Sequence, residues 1–348
     1  MHPAAAEPSL SIERFMDTPP PAPVGGIGRV AIVSDSLPER NGVGAYYRDL
    51  VDQLDDAGYR TEFICPTGKR GEYLKFPLPG DATQRIWIPS LRRFRHAMRS
   101  LQPQTVVVAT PGPYGLLGAW WARRIGARLI IGFHTHFSGV TDLYNNPFLR
   151  SFSRFWFSNA DKILFRYGEL VLANSESMVD LAYRLGAKKV EVIGTLVPLA
   201  SLSEPVTPLR EQLQRVLFAG RLAPEKNVHL IIDAAKSLAG IQFTIAGDGP
   251  LRGEIEAQAA QIDNLEYLGW VSRDELRIQM DRADMLVLPS TLESFGTVAL
   301  EMMVRERLAL VSNNCGIVDW PGLADSLYRI GEDQTVTDAI RAIAALPP

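Results

Sequence analysis

Val216-Leu217-Phe218-Ala219-Gly220-Arg221-Leu222-Ala223-Pro224-Glu225-Lys226-Asn227, followed by a helical pattern from Val228 to Leu238, is the stretch on which the fold turns. A short apolar run without polar alternation is a strand buried on both faces, the glycine supplies a turn, and a 3.6-residue pattern follows. That is the strand-to-helix half of a parallel βα unit. Outward from it the unit repeats. Towards the C-terminus the strand runs are Phe243-Thr244-Ile245, Leu265-Glu266-Tyr267-Leu268, Met285-Leu286-Val287-Leu288, Leu308-Ala309-Leu310-Val311 and Leu327-Tyr328-Arg329-Ile330. Towards the N-terminus they are Val30-Ala31-Ile32-Val33, Phe63-Ile64, Thr105-Val106-Val107-Val108, Leu129-Ile130-Ile131, Leu170-Val171-Leu172 and Val190-Glu191-Val192-Ile193. Between the two series, Ser201 to Leu209 has two Pro residues and no apolar period, which reads as a linker. The expected fold class is α/β, with two doubly wound, Rossmann-like domains facing a central cleft. The expected domains are residues 27–200 and 210–348, joined by 201–209 and preceded by a disordered Pro/Ala-rich tail, 1–26.

Composition agrees with that division and narrows the class. A chain of 348 residues, 46% hydrophobic and 22% charged, suits two globular domains. No run of eighteen uncharged apolar residues occurs, and Met1 to Gly26 lacks the basic-then-apolar layout of a secretory signal, so a membrane-spanning or exported chain is not expected. Cys65 and Cys315, one in each half, form neither a disulfide framework nor a zinc cluster, and a reducing, cytoplasmic setting is expected. The net charge of −3 conceals an asymmetry. Residues 1–198 carry 23 Lys and Arg against 18 Asp and Glu, and residues 199–348 carry 13 against 21. The basic half suits an anionic membrane surface or nucleic acid, and the acidic half repels both.

The chemistry-bearing residues follow strands. Arg221 and Lys226 stand between a strand and a helix, where fixed cations, backbone N–H groups and the helix dipole suit a diphosphate. A second constellation, Pro289-Ser290-Thr291-Leu292-Glu293-Ser294-Phe295-Gly296-Thr297-Val298-Ala299-Leu300-Glu301, also follows a strand. A helix starting near Gly296 aims its first N–H groups at the same diphosphate. Glu301, just over a turn inside, can accept ribose hydroxyl protons, and Glu293 on the preceding loop lies near a sugar's reacting carbon. Gly42 and Gly44 let backbone approach a ligand. No D-x-D triplet occurs, and His134 and His136 point to opposite faces of a strand, so no catalytic metal is expected.

Together these residues carry a resemblance. Gly220-Arg221 with Lys226, Gly247-Asp248-Gly249-Pro250-Leu251, Leu268-Gly269-Trp270-Val271, and Glu293-x-Phe295-Gly296 with Glu301 resemble the donor domain of retaining, family-four (group 1) nucleotide-sugar glycosyltransferases, which have the GT-B fold. The resemblance implies that Arg221 and Lys226, with Gly42, Gly44, Phe295 and Gly296, hold the donor diphosphate. It implies that Glu301 binds the ribose, that Trp270 and Val271 form the base pocket, and that Glu293 contacts the transferred sugar. In the first half, Asp35-Ser36-Leu37-Pro38-Glu39-Arg40-Asn41-Gly42-Val43, Thr110-Pro111-Gly112-Pro113-Tyr114-Gly115 and Phe133-His134-Thr135-His136-Phe137 look like the branch of sulfoquinovosyl-diacylglycerol synthases and lipid mannosyltransferases. There His134 touches donor sugar or acceptor. The chain departs from the family pattern at Met302-Met303-Val304-Arg305-Glu306-Arg307, where a small-residue helix and glycine-rich turn are usual.

The expected function is retaining transfer of a hexose from a nucleoside diphosphate sugar, a UDP-sugar, to a hydroxyl of a membrane lipid such as diacylglycerol, with neither cofactor nor metal. The alternatives are a GDP-mannose-dependent mannosyltransferase and a sugar-nucleotide-binding protein without turnover. A dinucleotide-dependent oxidoreductase is disfavoured, because Gly247 to Gly253 has the wrong third spacing for G-x-G-x-x-G and a Pro at the helix entry. Arg85 to Leu101, with Arg92, Arg93 and Arg95 among apolar residues, has the makeup of an interfacial amphipathic helix. Residues 133 to 167, including Phe137 and Tyr144, mix aromatic and basic side chains. Both predict peripheral association with the cytoplasmic face of an anionic membrane on the acceptor side, and no nucleic-acid partner.

Overall fold

A computed structural model describes residues 28–38, 42–68, 73–78, 81–134, 147–320 and 322–346. The tail 1–26, the loop residues Arg40 and Asn41, and His136, Phe137 and Tyr144 lie outside the described residues. The first domain runs β1 (Arg29–Val33), α1 (Gly42–Asp56), β2 (Arg60–Ile64), β3 (Tyr73–Leu78), β4 (Asp81–Trp87), α2 (Leu91–Leu101), β5 (Thr105–Val108), α3 (Pro113–Ile125), β6 (Arg128–Phe133), α4 (Pro147–Tyr167), β7 (Leu170–Ala173), α5 (Ser177–Arg184) and β8 (Val190–Val192). The second follows α6 (Leu199–Ser203) with β9 (Arg215–Ala219), α7 (Val228–Ser237), β10 (Gln242–Ala246), α8 (Arg252–Ala259), β11 (Leu265–Gly269), α9 (Arg273–Arg282), β12 (Met285–Leu288), α10 (Thr297–Val304), β13 (Leu308–Val311), β14 (Tyr328–Arg329) and α11 (Val336–Ala344).

Each domain holds a six-stranded sheet, ordered β2-β1-β5-β6-β7-β8 and β11-β10-β9-β12-β13-β14, and every pairing within the two is parallel. Parallel strands covered on both faces must be apolar throughout, and Met285, Leu286, Val287 and Leu288 of β12 are all buried. Each such side chain contributes about 1.5–3 kcal/mol of burial. Strand order reverses between β1 and β5 and between β9 and β12. Crevices outside the carboxyl ends of those pairs are where doubly wound sheets hold ligands.

The structure corrects the reading of Arg85 to Leu101 as one interfacial helix. Asp81–Trp87 pairs antiparallel with β3, and the helix begins only at Leu91. Its apolar residues Phe94, Met98 and Leu101 are buried in the first-domain core. The spacing i, i+4, i+7 suits a sheet as well as a bilayer, and here the sheet takes it. Arg92, Arg93, Arg95 and Arg99 remain exposed on the outer face.

The departure at Arg305 also has a structural explanation. Arg305 is fully buried and donates from Nη1 to the carbonyls of Ser201 (3.1 Å) and Glu204 (2.7 Å), from Nη2 to Pro205 O (2.6 Å), and from Nε to Asp281 Oδ1 (2.7 Å). Arg307 Nη2 donates to Thr207 O at 2.7 Å. These arginines bind the interdomain segment to the second domain.

Candidate functional site

In the second domain two loops meet at the β9/β12 switch point. The carboxyl end of β9 leads into Gly220 to Asn227, and that of β12 leads into Pro289 to Gly296. Hydrogen bonds stitch them together: Thr291 N donates to Glu225 O at 2.8 Å and Asn227 Nδ2 to Pro289 O at 2.9 Å. Lys226 lies in a single 3-10 turn, Pro224–Lys226, just before α7. Its Nζ is ion-paired with Glu293 and reaches Leu292 O at 3.5 Å. Arg221 Nη1 donates to the buried Glu225 Oε1 at 3.1 Å. The sequence reading gave Lys226 and Glu293 separate roles, whereas the fold places them in direct contact.

Gly296 adopts φ 92° at the N-cap of α10, and a Cβ there would lie 2.5 Å from Cys315 Sγ, so only glycine fits. No side chain caps α10. Ala299 N already donates to Gly296 O at 2.8 Å, so it is the Thr297 and Val298 N–H groups and the positive end of the dipole that this uncapped turn presents, on the same loop-helix unit as Glu293, the partner of Lys226. Glu301 sits deeper on α10, and burial pushes its carboxyl up to about 7 against the opposing pull of Arg273. Phe295 departs from its expected role. Its ring is core, packed edge-on to Trp320 with centroids 5.8 Å apart, which leaves only its main chain to face a ligand. Trp270 is 51% exposed and Val271 packs against the second-domain core.

Across the cleft His134 follows directly on β6. Tyr47 Oη lies 2.8 Å from His134 Nε2, and the Tyr46 ring packs against the imidazole at a 50° tilt, with centroids 4.5 Å apart. Burial lowers the imidazole to about 4, so His134 is neutral near pH 7. The approach requires Gly132, whose Cβ would fall 1.7 Å from the Tyr47 hydroxyl. Gly42 opens α1 with empty space where a Cβ would go, and Gly44 is buried on the same helix. Asp35 occupies the N-terminus of α3: Oδ1 accepts from Tyr114 N (2.8 Å), and Oδ2 accepts from Thr110 Oγ1 (2.8 Å) and Gly115 N (3.2 Å). Burial raises Asp35 to about 6. Asp161, buried on α4 with Oδ2 lacking a hydrogen-bond partner, lines a small cavity with Thr110 and His134.

The domains touch around this cleft. Trp320 Nε1 donates to Asn174 O at 3.2 Å, Thr195 and Thr297 share a hydroxyl hydrogen bond of 3.0 Å, and Arg273 is ion-paired with Asp49. Arg92, Arg93 and Arg95 are not brought into the cleft, because the buried face of α2 fixes them outward. Sequence reasoning missed Tyr47, Asp161 and the Asp49–Arg273 pair. Each depends on contacts between segments distant in the chain, which no local pattern announces.

Two facing, doubly wound parallel sheets with this site constitute the GT-B architecture. Sucrose-phosphate synthase from Thermosynechococcus elongatus matches with TM-score 0.69 over 92% of this chain and 90% of that one, at 16% identity. HepE from Anabaena, solved in complex with UDP and glucose, matches with TM-score 0.65 over 91% and 90%, at 15% identity. Residues 40–201 match Glycosyltransferase Family 4 and residues 203–344 match Glycosyl transferases group 1, so the chain belongs to the group 1/family 4 glycosyltransferases. A GDP-mannose-dependent alpha-mannosyltransferase from Mycobacterium tuberculosis is 28% identical over 66% of this chain and 65% of its own length. An alpha-monoglucosyldiacylglycerol synthase from Streptococcus pneumoniae is 24% identical over 79% and 69%. A 2-deoxystreptamine N-acetyl-D-glucosaminyltransferase from Niallia circulans is 30% identical, but the match spans only 36% of this chain and 38% of that relative.

Proposed function

We propose that the protein is a retaining glycosyltransferase that moves a hexose from a nucleoside diphosphate sugar to a hydroxyl of a membrane lipid. The observation that carries this reading is the open N-terminus of α10 beside Lys226, with Glu293 and Glu301 on the same loop-helix unit. The donor diphosphate sits against those N–H groups, Lys226 and Arg221, which offset the charge that builds on the leaving group. Glu293 keeps Lys226 in place and orients the sugar. The acceptor hydroxyl gives its proton to the departing phosphate on the same face, and neutral His134 donates or accepts a hydrogen bond at the sugar or acceptor. Charge offset by these cations makes the reaction metal-independent. Among the described residues no three His, Cys, Asp or Glu side chains are grouped as metal ligands.

The lipid acceptor is supported by the diacylglycerol-synthase relative and by the outer surface of α3 and α4. On that surface Arg123, Arg124, Lys162 and Arg166 are exposed, and the one acid of the two helices, Asp161, is buried. Trp120, Phe155, Trp156, Ile163 and Tyr167 are exposed on them, and the Arg123 guanidinium lies 3.8 Å over the Tyr167 ring. Aromatic and basic side chains together suit the headgroup boundary of an anionic leaflet, where each cation near the surface contributes about 1 kcal/mol. This face, and not α2, is the proposed membrane contact, and the proposed location is the cytoplasmic surface of the membrane. No helix among the described residues is long and apolar enough to cross a membrane.

UDP-glucose is the first donor to test and diacylglycerol the first acceptor. GDP-mannose is the second reading, favoured by the mannosyltransferase relative. Product formation with each donor, in anionic vesicles containing diacylglycerol and excess chelator, tests the proposal. Transfer with retained anomeric configuration is expected. Donor binding without transfer to any acceptor would instead support a non-catalytic sugar-nucleotide-binding protein.

A further inference from the structure

We infer that Tyr47 is a positioning residue for His134: its hydroxyl occupies Nε2, holds the imidazole as the tautomer with its proton on Nδ1, and so makes His134 a hydrogen-bond donor and not a base. The inference rests on the reading that His134 meets the donor sugar or the acceptor.

Three segments build the contact. Tyr46 and Tyr47 are consecutive on α1, and side chains one residue apart leave a helix about 100° apart, so the two rings approach the imidazole from different sides. The Tyr46 ring is tilted 50° to it with centroids 4.5 Å apart, and the Tyr47 ring stands edge-on, at 5.2 Å and 89°. Gly132, two residues before His134, supplies the opening. A Cβ there would fall 1.7 Å from the Tyr47 hydroxyl and 3.0 Å from His134 Nε2. The hydroxyl lies against the strand where no side chain intrudes, with its oxygen 2.8 Å from Nε2.

The direction of that bond follows from what each partner has to lose. A phenol carries one proton, and among the described residues the Tyr47 hydroxyl has its hydrogen bond with His134 Nε2 and no other. Tyr47 is 1% exposed, so bulk water does not reach it. Were Nε2 to donate, the phenol proton would be a buried donor without an acceptor, which costs far more than one unmet lone pair on the same oxygen. Tyr47 therefore donates and Nε2 accepts. Burial pushes the phenol well above its ordinary value, which keeps the proton on the oxygen. A neutral imidazole carries one N–H, so with Nε2 accepting, that proton is on Nδ1. Burial also keeps His134 neutral near pH 7. Neither nitrogen is then free to take a proton from an acceptor hydroxyl, because Nε2 is occupied and Nδ1 already bears its hydrogen. His134 is partly exposed just past the carboxyl end of β6, and what it offers a ligand is the Nδ1–H. That fits a reaction in which the acceptor's proton leaves with the departing phosphate.

The test is NMR of the full chain, with histidine labelled with 15N, at pH 7 in the wild type and Tyr47→Phe, with His134→Ala to assign the signal among the five histidines. Couplings from the ring carbon protons separate a protonated ring nitrogen from a bare one. Wild-type His134 should show a single tautomer, Nδ1 protonated and Nε2 bare. Tyr47→Phe, which keeps the ring and removes only the hydroxyl, should lose that single tautomer. It should also lower kcat about tenfold, the weight of one hydrogen bond, in the vesicle assay with whichever of UDP-glucose and GDP-mannose is turned over. UDP and GDP affinity should stay within about twofold, since the nucleotide seat lies across the cleft. A wild-type His134 protonated on Nε2 would overturn the inference whatever the activity, as would a Tyr47→Phe variant that keeps both the tautomer and kcat. Loss of nucleotide affinity in step with kcat would mean that Tyr47 only supports the fold, and would overturn it too. The expected tautomer together with wild-type turnover in His134→Ala would instead remove His134 from the ligand and overturn the reading on which the inference rests.

Discussion

The two domains put the same feature to opposite uses. In each, the helix that follows the strand beyond the reversal of sheet order aims its N-terminus at the crevice, α3 after β5 and α10 after β12. In the first domain that N-terminus is filled by the chain's own anion, because Asp35 accepts hydrogen bonds from Tyr114 N and Gly115 N. In the second it has no side-chain cap and stands beside Lys226. One switch point is closed by a carboxylate and the other has no side-chain cap, which is where the proposed function seats the donor diphosphate. On the proposed function the more acidic half of the chain would hold the anion seat, and the more basic half would not. Fixed cations and aligned N–H groups within a few ångströms outweigh a net charge spread over a domain surface.

The comparison can be broken or sharpened by mutation, beginning with the largest effect. Glu293→Gln should cut turnover by on the order of 100-fold, as removal of one well-placed electrostatic group does in other active sites, while nucleotide affinity by calorimetry changes less than it does in Lys226→Ala, because Gln can still hold Lys226 by a hydrogen bond. Next, Lys226→Ala and Arg221→Ala should each weaken donor binding by ~1.5–3 kcal/mol, the size of a charge-assisted contact. Both variants should keep cooperative thermal unfolding, and wild-type donor kinetics in both would remove the seat from the second domain.

A smaller effect concerns pH. With Glu301 raised to about 7 in the free protein and ionised when ribose binds, nucleotide affinity should fall as pH drops below about 7. Glu301→Gln should be weaker but flat over the same range. The smallest effect lies on the first-domain side. Asp35→Asn should leave donor affinity within about twofold and cost ~1 kcal/mol of stability, the loss of a helix cap. The sign with pH is defined as well. A carboxyl raised to about 6 when folded makes the folded state hold more protons than the unfolded, so stability falls as pH rises from about 4 to about 6. Unfolding midpoints across that window should show the slope in wild type and not in Asp35→Asn.

Most of the architecture was legible in sequence because buried parallel strands must be apolar throughout, so Val106-Val107-Val108 and Leu286-Val287-Leu288 declare themselves. That Lys226 and Glu293 meet where two strand-following loops come together was in reach of the sequence, because each sits at a fixed offset from such a strand. The hairpin β3–β4 was not, since Tyr73–Leu78 includes Pro77 and a broken register with no clean alternation. Helix α2 was misread because amphipathic spacing does not say whether a sheet or a lipid covers its apolar face. The His134–Tyr47 contact was invisible for a different reason: it needs Gly132 to admit a hydroxyl from another helix.

The central claim, that the donor diphosphate is held at the second switch point and not the first, is tested most directly by backbone amide hydrogen exchange with and without saturating nucleoside diphosphate. Protection should appear at residues 296–299 and across 220–227, with exchange at 112–116 unchanged. Protection at 112–116 with none at 296–299 would contradict the account.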